Sequence, residues 1–187
     1  MFRNHPLVVV GAARSSVLSA LHDVLCRTTE YAAGRKAAPR DWPLSAVDRV
    51  HEQLSGLISA RATARQAVRI SPRRWAMRDS VQAADHQAIH VALLAGSVLE
   101  LARAVAPVVD GRCHELPQPA HAVLIDLAAA TALADSDPDA ASAYIAAARR
   151  HASVLESDAH ERIEVVLADV ALACADDLQR VIDLRQQ

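Results

Sequence analysis

The stretch HVALLAGSVLELARAVAPVV, His90–Val109, contains the most apolar long window of the chain, and its reading decides the fold. Its length approaches the ~20 residues that a membrane-spanning helix needs. Glu100 and Arg103 interrupt it, however, and a spanning helix rarely accepts two charges near its middle. Leu94, Val98, Leu101 and Val105 recur at three- and four-residue steps, the spacing of one face of a helix. The stretch therefore reads as a buried helix of a water-soluble bundle. Upstream, Trp75, Val81, Ile89 and Leu93 carry the same pattern back to Pro72, with a bend expected near Gly96 or an end at Pro107.

Composition supports helices throughout. Of 187 residues, 40 are alanine, and only five are glycine. Alanine, leucine and arginine lose little side-chain entropy in a helix, whereas sheets favour β-branched and aromatic strands with glycine turns. The expected fold is all-α, an antiparallel bundle of about five or six helices forming one domain over residues 1–187. Its core should be thin and lined with alanine.

The other helices are delimited by local signals. PLVVVG, Pro6–Gly11, is the only strand-like piece, and residues 1–11 read as an extended leader packed on the bundle. This apolar run is too short for a secretory signal core. A first helix is expected over about Ala12–Ala33, with Val17, Leu21, Val24, Leu25 and Tyr31 inward, ending at Gly34. Ser45 is expected to cap a second helix, with Val47, Val50, Leu54, Leu57, Ile58 and Val68 inward and Ser71-Pro72 at its close. A fourth helix is expected over about Ala120–Ala134. Asp137-Pro138 reads as a cap with a first-turn proline for a fifth. Asp158 with Glu161, or Ser157, should cap a sixth, whose Ile163, Val166, Leu167, Val170, Leu178 and Ile182 face its partners.

Charge is uneven although the net value is only −2. Residues 1–121 carry 15 bases and 10 acids, and residues 122–187 carry 5 bases and 12 acids, an asymmetry that could draw parts of the chain together. The sharpest charge feature is Arg61, Arg65 and Arg69, four residues apart on one helical face. Arg73, Arg74 and Arg78 extend it, and no acid falls within residues 53–78. Such a stripe can meet an anionic lipid surface, a protein partner or an acidic part of its own chain. Nucleic acid is not expected, because the chain is not basic overall and carries no recognition module.

Chemistry is sparsely marked. Cys26, Cys113 and Cys174 form no CxxC pair and read as buried thiols of a reducing compartment. No phosphate-loop, GxSxG or HExxH motif is present, so no enzyme and no cofactor are expected. His86 and His90, beside Asp85, have a spacing that can share a divalent metal if His121 and His151 converge on them.

Two resemblances bear on function. SALHDVLCRTTEYAAG at Ser19–Gly34, SPRRW at Ser71–Trp75, the stretch His90–Val109 and DDLQRVIDL at Asp176–Leu184 stand in an order that resembles the soluble helical part of the fusaric-acid-resistance and aromatic-acid-exporter-like proteins. That resemblance implies a non-enzymatic accessory or interaction bundle beside a bacterial membrane transport component. It would be cytoplasmic, at the inner face of the membrane, and act through a protein partner, self-association or anionic lipid. HQAIH, His86–His90, more distantly resembles the metal-binding motif of helical effector domains in bacterial transcription regulators. In that family an aspartate stands where this chain has His86, and Asp85 is one residue away. This alternative implies a small-molecule or metal sensor using Asp85, His86, His90, His121 and His151.

Overall fold

A computed structural model describes residues 6–70, 78–111 and 115–186. Among these residues there are six helices and no strand. They are α1 (Pro6–Ala32), α2 (Trp42–Ile70), α3 (Arg78–Val109), α4 (Gln118–Leu133), α5 (Pro138–Ser157) and α6 (Arg162–Gln186). The all-α expectation holds.

The helices divide into two sets of three. α1, α2 and α3 pack mutually, as do α4, α5 and α6, and the sets join through α1 on α4 and α3 on α6. Side-chain pairs fix the directions. Arg61 of α2 meets Asp85 of α3, His22 of α1 meets Ala128 of α4, Ser97 of α3 meets Asp177 of α6, and Asp126 of α4 meets His151 of α5. Ser15 meets Asp135 where His22 meets Ala128, and Gln87 meets Leu184 where Ser97 meets Asp177, so numbers rise along α1 and α3 as they fall along α4 and α6, and these neighbours are antiparallel. One end of the bundle thus gathers the start of α1, the end of α2 and the start of α3.

α3 packs on α1, α2 and α6. Its buried positions Val81, Ala88, Val91, Ala95, Val98, Ala102 and Val105 run at three-, four- and seven-residue steps. Ala88, Ala95 and Ala102 of α3 and Ala168, Ala171 and Ala175 of α6 are all buried in the same core, and small contact residues allow a short interaxial distance. α3 runs unbroken through Gly96, and Pro107 stands inside its last turn. Ile89 and Leu93, expected inward, are about half exposed. Each follows a position of the buried face or lies next to one, and one residue turns a helix by ~100°. Ile58 and Val166 are exposed for the same kind of reason. Among the described residues α2 packs on α1 and α3, and its buried arc (Val50, Leu57, Ala60, Ala64, Val68) is narrow.

The start of α1 corrects the sequence reading. Residues 6–11 are helical and form no extended leader. The β preference of three valines expresses packing on a pleated sheet, and no strand among the described residues offers one. Pro6 stands at the first helical position, where its missing N–H costs nothing, and Val10 is buried. At the far end Gly34, at φ +64°, turns the chain while Arg35 N–H reaches back to Glu30 O. This closes α1 in the way glycine permits.

Other boundaries follow local chemistry. Asp137 Oδ1 accepts from Ala140 N–H at 3.0 Å with Pro138 behind it, as expected. α2 begins three residues earlier than Ser45, whose hydroxyl donates to Trp42 O instead of capping. At α6, Asp158 closes α5, and the side chain of Glu164 accepts from His160 and Glu161 N–H. Those two donors hold the Glu164 carboxyl below its usual range. Thr28, Thr29 and Thr131 are buried with their hydroxyls donating to carbonyls four residues back, so no polar group is stranded there.

Candidate functional site: an arginine face at one end of the bundle

The arginine spacing on α2 places Arg61, Arg65 and Arg69 toward its C-terminal end, alongside the start of α3. Asp85 of α3 is the hub. It accepts from Arg61 Nε at 2.9 Å and from Arg65 Nε at 2.5 Å, one guanidinium on each carboxylate oxygen. Arg61 and Asp85 are largely covered, whereas Arg65 is 56 % exposed and Arg69 is exposed too. Arg78 opens α3 on the same end. Arg73, Arg74, Trp75 and the Ser71-Pro72 pair lie outside the described residues, as does Cys113. The face is thus partly neutralised inward and cationic outward. Apolar Val8 and Val9, at the start of α1, are also exposed at this end.

A second polar node joins the two sets of helices. Arg14 of α1 donates to Gln87 of α3 at 2.9 Å and to Asp135, just after α4, at 2.6 Å. Ser15 donates to the other Asp135 oxygen, and Arg185 of α6 donates to the Ala134 and Asp135 carbonyls. Gln87 also donates to Leu184 O. No local sequence signal marks this node, because its directly bonded side chains lie up to 121 positions apart.

The metal-ligand set is not brought together. Asp85 is occupied by two arginines, and His151 Nδ1 lies 2.9 Å from Asp126 Oδ2. His121 lines a cleft with Val108 and Val109, about 27 Å along α3 from His90 at 1.5 Å per residue. His86 is exposed and His90 half-buried. Among the described residues no three His, Cys, Asp or Glu side chains cluster as a metal site. His121 and His151, the two histidines that the set needs from other helices, stand on α4 and α5.

Of the two described thiols, Cys26 has its Sγ 3.5 Å from His22 Nε2, and Cys174 is buried. Burial, then Asp23 and Glu30, push the Cys26 thiol up. Burial and Asp177 push Cys174 up to about 12. A nucleophilic thiolate needs the opposite.

Two helices, Leu7–Ala32 and Arg78–Val109, are long and apolar enough to cross a membrane, by length and composition alone. The share of each apolar window buried in the bundle is 33 % and 44 %, so neither window is wholly covered by the other helices.

No protein-family model matches the chain, and no solved structure matches it. Its sequence is 49 % identical over 184 residues to proteins of Mycobacterium bovis and Mycobacterium tuberculosis that bear the name "Putative arylamide transporter". The match covers 98 % of this chain and 51 % of each relative, so the chain spans about half the length of the curated relatives it matches. Over nearly all of its own length, this helical bundle is similar to part of mycobacterial proteins named as transporters.

Proposed function

We propose that this chain is the non-enzymatic helical accessory part of a membrane transport protein of the aromatic-acid-exporter-like kind, acting by contact at the cytoplasmic face of the membrane. The observation that carries this reading is the 49 % identity, sustained over 98 % of the chain, to part of proteins named as transporters. The order of the quoted segments supports the same family.

The polar seams favour a water-facing bundle over spanning helices. Arg14, Gln87 and Ser97 of α1 and α3 are bonded to Asp135, Leu184 O and Asp177. Glu100 and Arg103 stand on the exposed face of α3. In hydrocarbon such groups are expensive, whereas in water they are ordinary.

The outward arginines Arg65 and Arg69, with Arg61 behind them, form the anionic contact face in this reading. Each basic residue close to an anionic leaflet contributes about 1 kcal/mol. Co-sedimentation with phosphatidylglycerol/phosphatidylcholine vesicles tests it. Arg65→Gln with Arg69→Gln should weaken binding roughly 30-fold, the equivalent of about 2 kcal/mol. Binding unchanged by the pair, or no preference for phosphatidylglycerol, overturns the contact face.

A further inference from the structure

The arginine face carries exposed apolar side chains as well as charge. Ile58 of α2 is 62 % exposed, and Ile89 and Leu93 of α3 are 47 % and 50 % exposed. Their places follow from the seam between the two helices. Arg61 and Arg65 both reach Asp85, so that carboxylate marks the seam. Leu57 lines one cleft with Ala88, while Arg65 meets Asp85, so numbers fall along α2 as they rise along α3. Ile58 and Ile89, each next to one of those cleft residues, therefore stand at the same level of the bundle.

They also share the outer side of the seam with the cations. Arg65 follows Ile58 by two turns on one line of α2, and exposed Arg69 stands one turn further. On α3, Ile89 follows Asp85 by one turn and Leu93 follows Ile89 by another. α2 has no acid from residue 53 to its end, and Asp85 is already held by two guanidiniums. Exposed Glu100, about 10 Å along α3 from Leu93, bounds the patch.

Cations beside branched aliphatics match the two layers of an anionic bilayer surface. Headgroup phosphates take the guanidiniums, and the boundary with the acyl chains takes the apolar groups. A second copy would oppose this face with the same acid-free row of α2, which supplies little counter-charge. We propose that the α2–α3 layer docks on an anionic bilayer in two parts, Arg65 and Arg69 on headgroup phosphates and Ile58, Ile89 and Leu93 in the interface beneath them. Docking of this kind rests on the membrane-contact reading above and adds an apolar half to it.

The test uses the whole chain and vesicles of phosphatidylglycerol and phosphatidylcholine. Ile58→Ser with Leu93→Ser should weaken co-sedimentation roughly tenfold, with the preference for phosphatidylglycerol kept and helix content checked by circular dichroism. In about 1 M sodium chloride, where the screening length is roughly 3 Å, the unaltered chain should keep part of its binding and the serine pair should lose it. Ile89→Trp adds an indole that phosphatidylcholine brominated on its acyl chains should quench beyond the quenching of the unaltered chain. Phosphatidylglycerol-dependent binding that the serine pair leaves unchanged, with no added quenching, overturns the apolar half and leaves the arginine contact standing. Binding without preference for phosphatidylglycerol overturns both. A dimer in sedimentation velocity that the serine pair dissociates assigns the face to a second copy and overturns the bilayer as its occupant.

Discussion

At the scale of single residues, the molecule hides its reactive groups. Cys174 lies in the core among alanines of α6, and its thiol is pushed up to about 12 by burial and by Asp177. The unfolded chain has no such burial, so its thiol ionises near the ordinary value of 9.0. The folded state therefore holds the proton more tightly than the unfolded state. This contribution is complete below pH 9 and is lost as pH rises from 9 toward 12. At pH 10, one unit above the ordinary value, the loss is about 1 kcal/mol. Urea unfolding at pH 8 and pH 10 measures it. The unaltered chain should lose about 1 kcal/mol more between the two values than Cys174→Ala. Equal losses would show that Cys174 ionises freely in the fold.

At the scale of helices, α2 and α3 are held in register by one carboxylate between two arginines. Arg61 is 17 % and Asp85 13 % exposed at the side chain, so the pair is shielded from water, whereas Arg65 is largely solvated and contributes less. Asp85→Asn leaves a covered guanidinium without its counter-charge. The expected destabilisation is about 2 kcal/mol, seen as a melting point lower by about 4–8 °C in a chain of this size. The same substitution releases cationic charge on the arginine face, so affinity for anionic vesicles should rise while stability falls. A variant that loses both would make Asp85 a structural residue with no bearing on contact.

This pair also shows what could be read from sequence. The three-arginine row depends on a four-residue period within one helix, and the cap at Asp137 depends on three consecutive peptide groups. Both are local and were legible. The role of Asp85 required α2 to fold back antiparallel on α3, 24 positions along the chain. Its place beside His86 suggested a ligand only because that packing is invisible in one dimension. The valines of α1 misled in the same way, since tertiary burial of Val10 overrode their strand preference. The buried indole of Trp42 carries no sequence signal at all.

At the scale of the whole molecule, the question is what binds one three-helix set to the other. Apolar packing of α1 on α4 and α3 on α6 supplies the area, but the Asp135 node supplies the alignment. It ties α1, α4 and α6 together, and Gln87 adds α3. The base-rich first part and the acid-rich last part of the chain meet here as Arg14 and Asp135. Their side chains are 14 % and 28 % exposed, so the attraction is only partly screened. A double-mutant cycle with Arg14→Ala and Asp135→Ala should return a coupling of about 1–2 kcal/mol, within the range for residues sharing one network. Hydrogen exchange in Asp135→Ala should then rise at the start of α1 and the end of α6 together, because both lose the same anchor. A coupling near zero, or exchange rising in the α4–α5 turn alone, would assign the alignment of the two sets to apolar packing.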